Sequence, residues 1–275
     1  MILEPIMKTF ENPAVVQLIR SATVKIKIGD AVFLVDPVLS QQGSWPGFPG
    51  TINSQTVNPM LPLPMTVEEI LADVDVIVLT HTHEDHWDEA ARRQIPKDMP
   101  IFINTEALAE DVRKAGFTNV MVLKPGMQVK GATLEPTPGQ HGTDEIYKHP
   151  VLGPLLGKTM GVIFRSAGAP TIYLAGDTIW TDEVTKTLAG AKPDVVILNT
   201  GNAMTTEVPE SVIMGTRDFM RAYNEAPQAA IVGVHMDAIN HCVLKRFDLR
   251  AYIRDHQLDP NRALVPDDGE VICFG

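Results

Sequence analysis

Apolar and polar residues alternate through Thr23-Val-Lys-Ile-Lys-Ile, the pattern of a strand with one face toward solvent. Val15-Val-Gln-Leu-Ile precedes it, and a Gly29-Asp30 turn leads into Ala31-Val-Phe-Leu-Val, a mostly apolar run ending on Asp36-Pro37. Residues 14–36 therefore read as strands. Buried-strand patterns return at Val74-Asp-Val-Ile-Val-Leu and Pro100-Ile-Phe-Ile-Asn. Helices are expected over 88–94 and 106–115, the second with Thr105 as its N-cap and Gly116 just past its end. Further strands fall at 120–123 and 132–136.

Beyond residue 160 the rhythm starts again. Gly161-Val-Ile-Phe-Arg, a turn at Ala167-Gly-Ala-Pro and Thr171-Ile-Tyr-Leu-Ala form a hairpin ending on Gly176-Asp177. Helix 181–189, strand 194–198, helix 210–225, strand 229–234 and helix 246–256 follow, with two short strands around a turn in the tail from Ala263. The chain thus reads as one domain, 1–275, of two similar halves, about 1–141 and 161–275. Each half opens with a hairpin and continues in strand–helix alternation. Two mixed β-sheets packed face to face with helices outside satisfy that pattern, an α/β class fold.

Two segments break the rhythm. Residues 40–65 carry Gly43, Pro46, Gly47, Pro49, Gly50, Pro59, Pro62 and Pro64, too many breakers for a regular element. A loop this long is uncommon in a compact domain and is often a binding loop, with Trp45, Phe48, Met60 and Met65 as anchors or walls. The segment 142–160 is also punctuated by Gly and Pro, and it holds Tyr147, Lys148, His149 and Lys158. Each of these four reads as an anion contact or as solvated surface.

Composition narrows the classes. Hydrophobic residues make up 44% and charged residues 21% of the 275, close to a globular average and unlike a disordered chain. With 23 Lys and Arg against 34 Asp and Glu the net charge is −11, which disfavours nucleic acid and anionic membrane as partners. No apolar run approaches the roughly 18 residues of a membrane span. Met1-Ile-Leu-Glu-Pro-Ile lacks the basic start and apolar stretch of a signal peptide. Cys242 and Cys273 make no disulfide framework, so a cytoplasmic protein is expected.

Chemistry concentrates in Leu79-Thr-His-Thr-His-Glu-Asp-His-Trp-Asp88, between a buried strand and a helix. His81 and His83, two apart, point the same way in an extended segment, and Asp85 and His86 arrive on the turn after it. Three imidazoles and a carboxylate in six residues are costly to bury unless something coordinates them. Imidazole with carboxylate suits zinc or iron. Trp87, beside this turn, reads equally as core packing or as a substrate wall. No G-x-S-x-G nucleophile elbow is present.

This H-x-H-x-D-H string resembles that of the metallo-β-lactamase fold hydrolases. The likeness extends to Asp36 after the first hairpin, His141 in Pro138-Gly-Gln-His-Gly, Asp177 in Ala175-Gly-Asp-Thr and His235 at the end of strand 229–234. Gly176-Asp-Thr-Ile-Trp and His235-Met-Asp-Ala-Ile-Asn-His-Cys look most like the ascorbate-6-phosphate-lactonase-like branch. The resemblance implies the four-layer αββα sandwich and two metal positions. His81, His83 and His141 would hold the first metal; Asp85, His86 and His235 would hold the second, with Asp177 bridging. Asp36 would hydrogen-bond a ligand imidazole and fix its tautomer. His241 competes with His235 for the second site and otherwise falls to substrate contact, support of a ligand or structure.

The implied activity is hydrolysis of a small ester, lactone or phosphodiester by a hydroxide shared between two divalent cations, with Asp85 as a proton shuttle. Zinc leads, manganese is an option, and iron ranks behind because position 83 is His where iron-dependent redox members carry Glu. The substrate is a small molecule, and the cationic centre favours anionic groups. The alternatives are an iron-dependent redox enzyme of the same fold and a non-catalytic metal-containing sensor of a small ligand. The oligomeric state, a homo-oligomer included, is not legible. No role is mapped onto Asn199-Thr-Gly-Asn, and no basic arm for RNA is evident.

Overall fold

A computed structural model describes residues 2, 3 and 8–275; of the Met1–Ile6 stretch read above, all but Ile2 and Leu3 lie outside the described residues. The chain opens with β1 (Ile2–Leu3), β2 (Ala14–Arg20), β3 (Thr23–Ile28) and β4 (Ala31–Val35). A long loop leads to α1 (Val67–Leu71), β5 (Val76–Leu79), α2 (Glu89–Gln94), β6 (Ile101–Ile103), α3 (Glu106–Lys114) and β7 (Val120–Val122). Next come β8 (Met127–Val129), β9 (Ala132–Pro138), α4 (Asp144–Lys148), α5 (Leu152–Leu156), β10 (Met160–Arg165) and β11 (Ile172–Leu174). The chain continues through α6 (Asp182–Ala191), β12 (Val195–Asn199), α7 (Thr216–Glu225), β13 (Ala230–Val234), α8 (Arg246–Asp255), β14 (Ala263–Leu264) and β15 (Val271–Phe274).

Two mixed sheets result, in the orders β1-β15-β2-β3-β4-β5-β6-β7 and β14-β13-β12-β11-β10-β9-β8. In the first, β2, β3 and β4 form an antiparallel meander and β4 to β7 run parallel. In the second, β9, β10 and β11 are antiparallel and β11 to β14 parallel. The change of sheet falls between β7 and β8, before the Gly/Pro-punctuated segment. The tail's two strands lie in different sheets, because β15 crosses back to pair with β2.

The layers follow from the period-2 alternation of side chains along each strand. Phe33, Val35, Val76, Val78 and Phe102 face Val162, Phe164, Leu174, Ile197 and Val232 in one core between the sheets. Phe33 and Phe164 meet across it with ring centres 5.2 Å apart. The opposite faces are covered by helices. Leu34, Ile77, Leu79 and Ile101 pack under Ile70, Ala91 and Val112 of α1, α2 and α3. Tyr173, Val196, Leu198 and Ile231 pack under Val184, Phe219 and Leu249 of α6, α7 and α8. Central strands covered on both faces must be apolar throughout, which is why β4, β5, β12 and β13 do not alternate. Each buried branched or aromatic side chain contributes about 1.5–3 kcal/mol. The arrangement is the αββα sandwich of the resemblance.

Most expected elements are present, and the departures have local causes. The segment 142–160 contains α4 and α5, each of five residues, too short for helical periodicity to register. α1 escaped notice for the same reason. The helix expected over 210–225 begins only at Thr216. Residues 203–212 are instead drawn into bridges, Ala203 with Cys242 and Met204 with Ser211, and Asp218 caps the Gly215 N–H.

Candidate metal centre

The carboxyl ends of the central strands meet at one rim, where ligands collect in open α/β sheets. Asp36 follows β4, His81 follows β5, His141 follows β9, Asp177 follows β11, Asn199 ends β12 and His235 follows β13. The His81–His86 turn is closed by the His86 and Trp87 N–H groups, which donate to the His83 carbonyl at 2.9 and 2.8 Å. It is then anchored by Asp88, the N-cap of α2. The Asp88 carboxylate accepts from the Ala91 N–H at 2.7 Å, Leu39 at 3.1 Å and Ser40 at 2.8 Å, tying the turn to the start of the long loop. Trp87 is buried against Phe117, ring centres 5.4 Å apart, and so belongs to the core.

Residues scattered from position 36 to 235 converge here. Donor atoms of His81, His83 and His141 lie within 4.8 Å of one another, and so do those of Asp85, His86 and His235. Asp177 stands between the two trios. Its Oδ2 is 3.1 Å from His86 Nε2, 3.4 Å from His141 Nε2 and 3.9 Å from His81 Nε2, and its Oδ1 is 3.7 Å from His235 Nε2. A third group overlaps them: Asp36, His81 and His86. Here, however, Asp36 Oδ2 faces the far nitrogen of His86, Nδ1, at 2.8 Å.

The outward nitrogens of these imidazoles are held one by one. His81 Nδ1 meets the Thr80 hydroxyl at 3.1 Å, and His83 Nε2 donates to the Leu155 carbonyl at 2.8 Å. His86 Nδ1 donates to Asp36, and His141 Nδ1 donates to the Val212 carbonyl at 2.8 Å. His235 Nδ1 meets the Ser21 hydroxyl at 3.1 Å and Cys242 Sγ at 3.4 Å. Fixing the outward N–H leaves the inward nitrogen with its lone pair, the state a metal ligand requires. Asp36 is held in turn by the Thr80 N–H at 2.8 Å and hydroxyl at 2.6 Å.

Charge points the same way. Asp36, Asp85 and Asp177 are all buried, and among the described residues their ion-pair partners are imidazoles, never Lys or Arg. Burial opposes the charge on Asp177, but His86, His235 and His141 outweigh it and hold the carboxyl well below its ordinary range. Burial likewise opposes the charge on His86, and Asp177 and Asp36 together raise it well above the usual histidine value. Burial pushes His141 down to about 4 against the pull of Asp177. It also holds His81 well below the usual histidine value, with repulsion from His86 and His83 added. Buried carboxylates whose partners are imidazoles rather than Lys or Arg lack a fixed cation, so the donor set fits divalent metal.

Two residues bear on this centre without having been assigned to it from sequence. Asn199 Nδ2 donates to Asp177 Oδ1 at 2.6 Å, fixing the central carboxylate. Its place at the end of a buried strand, on the same rim as Asp177 and His235, was the available signal. Asn240 stitches the long loop to the turn after His235. Its side chain accepts from the Asn58 amide at 2.8 Å and the Phe48 N–H at 3.2 Å, and donates to Thr51 Oγ1 and the Ile52 carbonyl. His241 lies outside all three donor groups, with Nε2 3.8 Å from Asp85 Oδ2. Of the residues singled out in 142–160, Tyr147 accepts from the His141 N–H and donates to the Gly157 carbonyl. Lys148 pairs with Glu145 at the surface, His149 Nδ1 accepts from Val151 and Leu152, and Lys158 is exposed.

Comparison with known proteins agrees with this geometry. Residues 32–236 match the family model described as a beta-lactamase superfamily domain. The UPF0173 protein YddR of Bacillus subtilis (strain 168) is 36% identical, over 93% of this chain and 98% of its own. The crystal structure of a possible metal-dependent hydrolase from Veillonella parvula superposes with a TM-score of 0.91 at 42% identity, covering 96% of this chain and 99% of that one. An isothiocyanate hydrolase from Delia radicum gut bacteria gives 0.90 at 43%, covering 94% and 98%. None of these three carries the lactonase branch in its name. Among the described residues, no helix is long and apolar enough to cross a membrane.

Proposed function

The chain belongs to the beta-lactamase superfamily and is a metal-dependent hydrolase of the metallo-β-lactamase fold, and from that premise we propose that it cleaves small, uncharged carbon electrophiles at a two-metal centre. His81, His83 and His141 would hold one divalent cation and Asp85, His86 and His235 the other, with Asp177 shared. Zinc or manganese suits five imidazoles with two carboxylates. The cations would supply Lewis acidity and a water whose pKa is lowered to about 7. The observation that carries this reading is the pair of donor trios with Asp177 between them in a buried site.

The protein's own groups do the rest. Asp85 Oδ2 faces His235 Nε2 at 3.6 Å and His241 Nε2 at 3.8 Å, and is placed to take a proton from the attacking water and pass it to the leaving group. Asn199 and Asp36 hold Asp177 and His86 in register for that exchange. Among substrates, isothiocyanates come first, on the likeness to the isothiocyanate hydrolase from Delia radicum gut bacteria. Water adds to the central carbon of R–N=C=S, the nitrogen gains a proton, and the resulting thiocarbamic acid parts into an amine and carbonyl sulfide. Esters and lactones place the same demand on the site, water at an electrophilic carbon. Phosphodiesters have less support, since no Lys or Arg joins the ion pairs at the centre among the described residues.

The test is metal-reconstituted protein on benzyl isothiocyanate, phenyl acetate, a γ-lactone and bis(4-nitrophenyl) phosphate, alongside His83→Ala and metal analysis. Two equivalents of metal and turnover of the carbon electrophiles, lost by about 100-fold or more in the variant, are expected. Wild-type rates in His83→Ala, or turnover of the phosphodiester alone, would overturn the assignment. Stoichiometric iron with a visible chromophore would favour the redox alternative.

A further inference from the structure

Among the described residues, His241 is the one imidazole at the centre whose ring nitrogens lack hydrogen-bond partners. The residue is 9% exposed; its Nδ1 has no partner, and its Nε2 approaches only Asp85, at 3.8 Å. Leaving a buried polar group unpaired is costly, so positions like this one call for an explanation. The ring is nevertheless held firmly. Phe48 packs edge-on against it with centroids 5.1 Å apart, Trp45 packs on Phe48 at 5.3 Å, and Asn240, the preceding residue, clamps the Phe48 backbone.

Phe48 in turn packs against an apolar cluster distinct from the three cores. It joins Ile146, Leu152 and Leu156 of α4 and α5 to Val212, Ile239 and Cys242, with Trp45 and Phe48 packed against it. The cluster touches the donor set at several points. Val212 receives His141 Nδ1, Cys242 abuts His235 Nδ1, and Leu155, between its members on α5, receives His83 Nε2. Phe48 and Trp45 are only partly buried, so their faces are not used up within the cluster. The long loop and the turn after β13 have thus brought an aromatic side chain and an unsatisfied imidazole together beside Asp85.

We propose that this is the subsite for the substrate's organic substituent: Phe48 and Trp45 pack on an uncharged apolar group, and His241 hydrogen-bonds the heteroatom beside the reacting carbon. The subsite rests on the hydrolase reading above and deepens it, by naming the substrate class as one with an aromatic or branched aliphatic substituent. His241 touches substrate in this assignment and is not a metal ligand. The long loop, through Asn240, is what aligns the wall with the imidazole.

Binding of metal-directed probes tests the subsite whatever reaction the enzyme runs. Acetohydroxamate and phenylacetohydroxamate share the metal-binding group and differ only in methyl against benzyl, and calorimetry on the holoenzyme reads both affinities. The wild type should prefer the benzyl probe by about 10-fold or more, and Phe48→Ala should reduce that preference below about threefold. His241→Leu should weaken both probes by roughly 10-fold with metal content and the preference unchanged, and His241→Gln should recover part of the loss. Phe48→Leu reads the same ratio at smaller size if the alanine variant fails to fold. Equal affinities in the wild type, an unchanged preference in both Phe48 variants, or loss of metal from His241→Leu would overturn the proposal. Should the probes behave as expected while no carbon electrophile is turned over, the subsite stands and the assigned reaction falls.

Discussion

His86 Nε2 and His235 Nε2 stand 3.0 Å apart, although 149 residues separate them. Two imidazole nitrogens that close must share a proton or face a common cation, since two lone pairs repel. In the metal-free protein a proton on His86 answers the need, supported by Asp36 on one side and Asp177 on the other. A metal would replace that proton, so loading is expected to release acid.

Asp36→Asn tests the support of His86. Asp36 has φ +48°, a conformation that Asn tolerates, so the backbone should survive the change. What is lost is the charged acceptor for His86 Nδ1. Metal affinity should fall by about 10- to 100-fold in chelator competition, and thermal scans of the apoprotein should show an earlier melt at or below pH 6.5, where Asp36 supports the His86 proton. Wild-type affinity would remove Asp36 from the centre.

Acid should destabilise the metal-free protein within a definite window. His141 and His241 sit at about 4 when folded against an ordinary value of 6.5, so the unfolded chain binds more protons between those limits. Their contribution is complete above pH 6.5 and is lost as pH falls toward 4. His86, raised instead, contributes fully below 6.5 and fades only at higher pH. Asp85 and Asp177 lose theirs below 3.8. Chelator-treated protein should therefore melt progressively earlier from pH 6.5 down to 4.5, with a shallower slope in His241→Leu. An identical slope in that variant would show that the imidazole titrates normally.

Removing the loop clamp should be costly. Asn240→Ala removes the acceptor of the side-chain amide of Asn58, which is fully buried, and of the Phe48 N–H. A loss of about 2–4 kcal/mol is expected in denaturant titration, with new protease cleavage between residues 41 and 57. Cleavage kinetics like those of the wild type would show that the loop is held by its apolar anchors alone.

Gly201→Ala probes the packing behind His235. A Cβ at position 201 would overlap the His235 carbonyl oxygen and press on Cys242. The backbone carrying His235 must shift, so both stability, by about 1–3 kcal/mol, and metal occupancy should fall together. Metal analysis beside a melting curve separates this from a purely global loss, in which occupancy of the folded fraction would stay constant.

How much of this could be read along the chain depended on distance in sequence. His81, His83, Asp85 and His86 were legible because six residues carried four donors at a strand end. His141 and Asp177 are each alone in their neighbourhood, and His235 at the end of its strand competes with His241; the family resemblance joined the three to the turn. Ser21 and Thr80 left no mark, since a polar residue after an apolar strand is ordinary and its partner lies on another strand; Asn199 offered only its place at a strand end. The long strands were clear from their alternation or their apolar runs. The five-residue helices α1, α4 and α5 were not, because a single turn and a half shows no period, and their positions are set by the cluster they cover.

His235 holds φ +62°, a left-handed backbone at the end of β13 that a side-chain-bearing residue adopts against steric resistance. An evolutionary tension follows. Selection for a sturdier scaffold alone would drift this position toward glycine, relaxing the chain and emptying the rim of an imidazole in one step. A descendant that had abandoned hydrolysis would be recognisable by that exchange, and one that retains histidine there is still accepting discomfort for the sake of its chemistry.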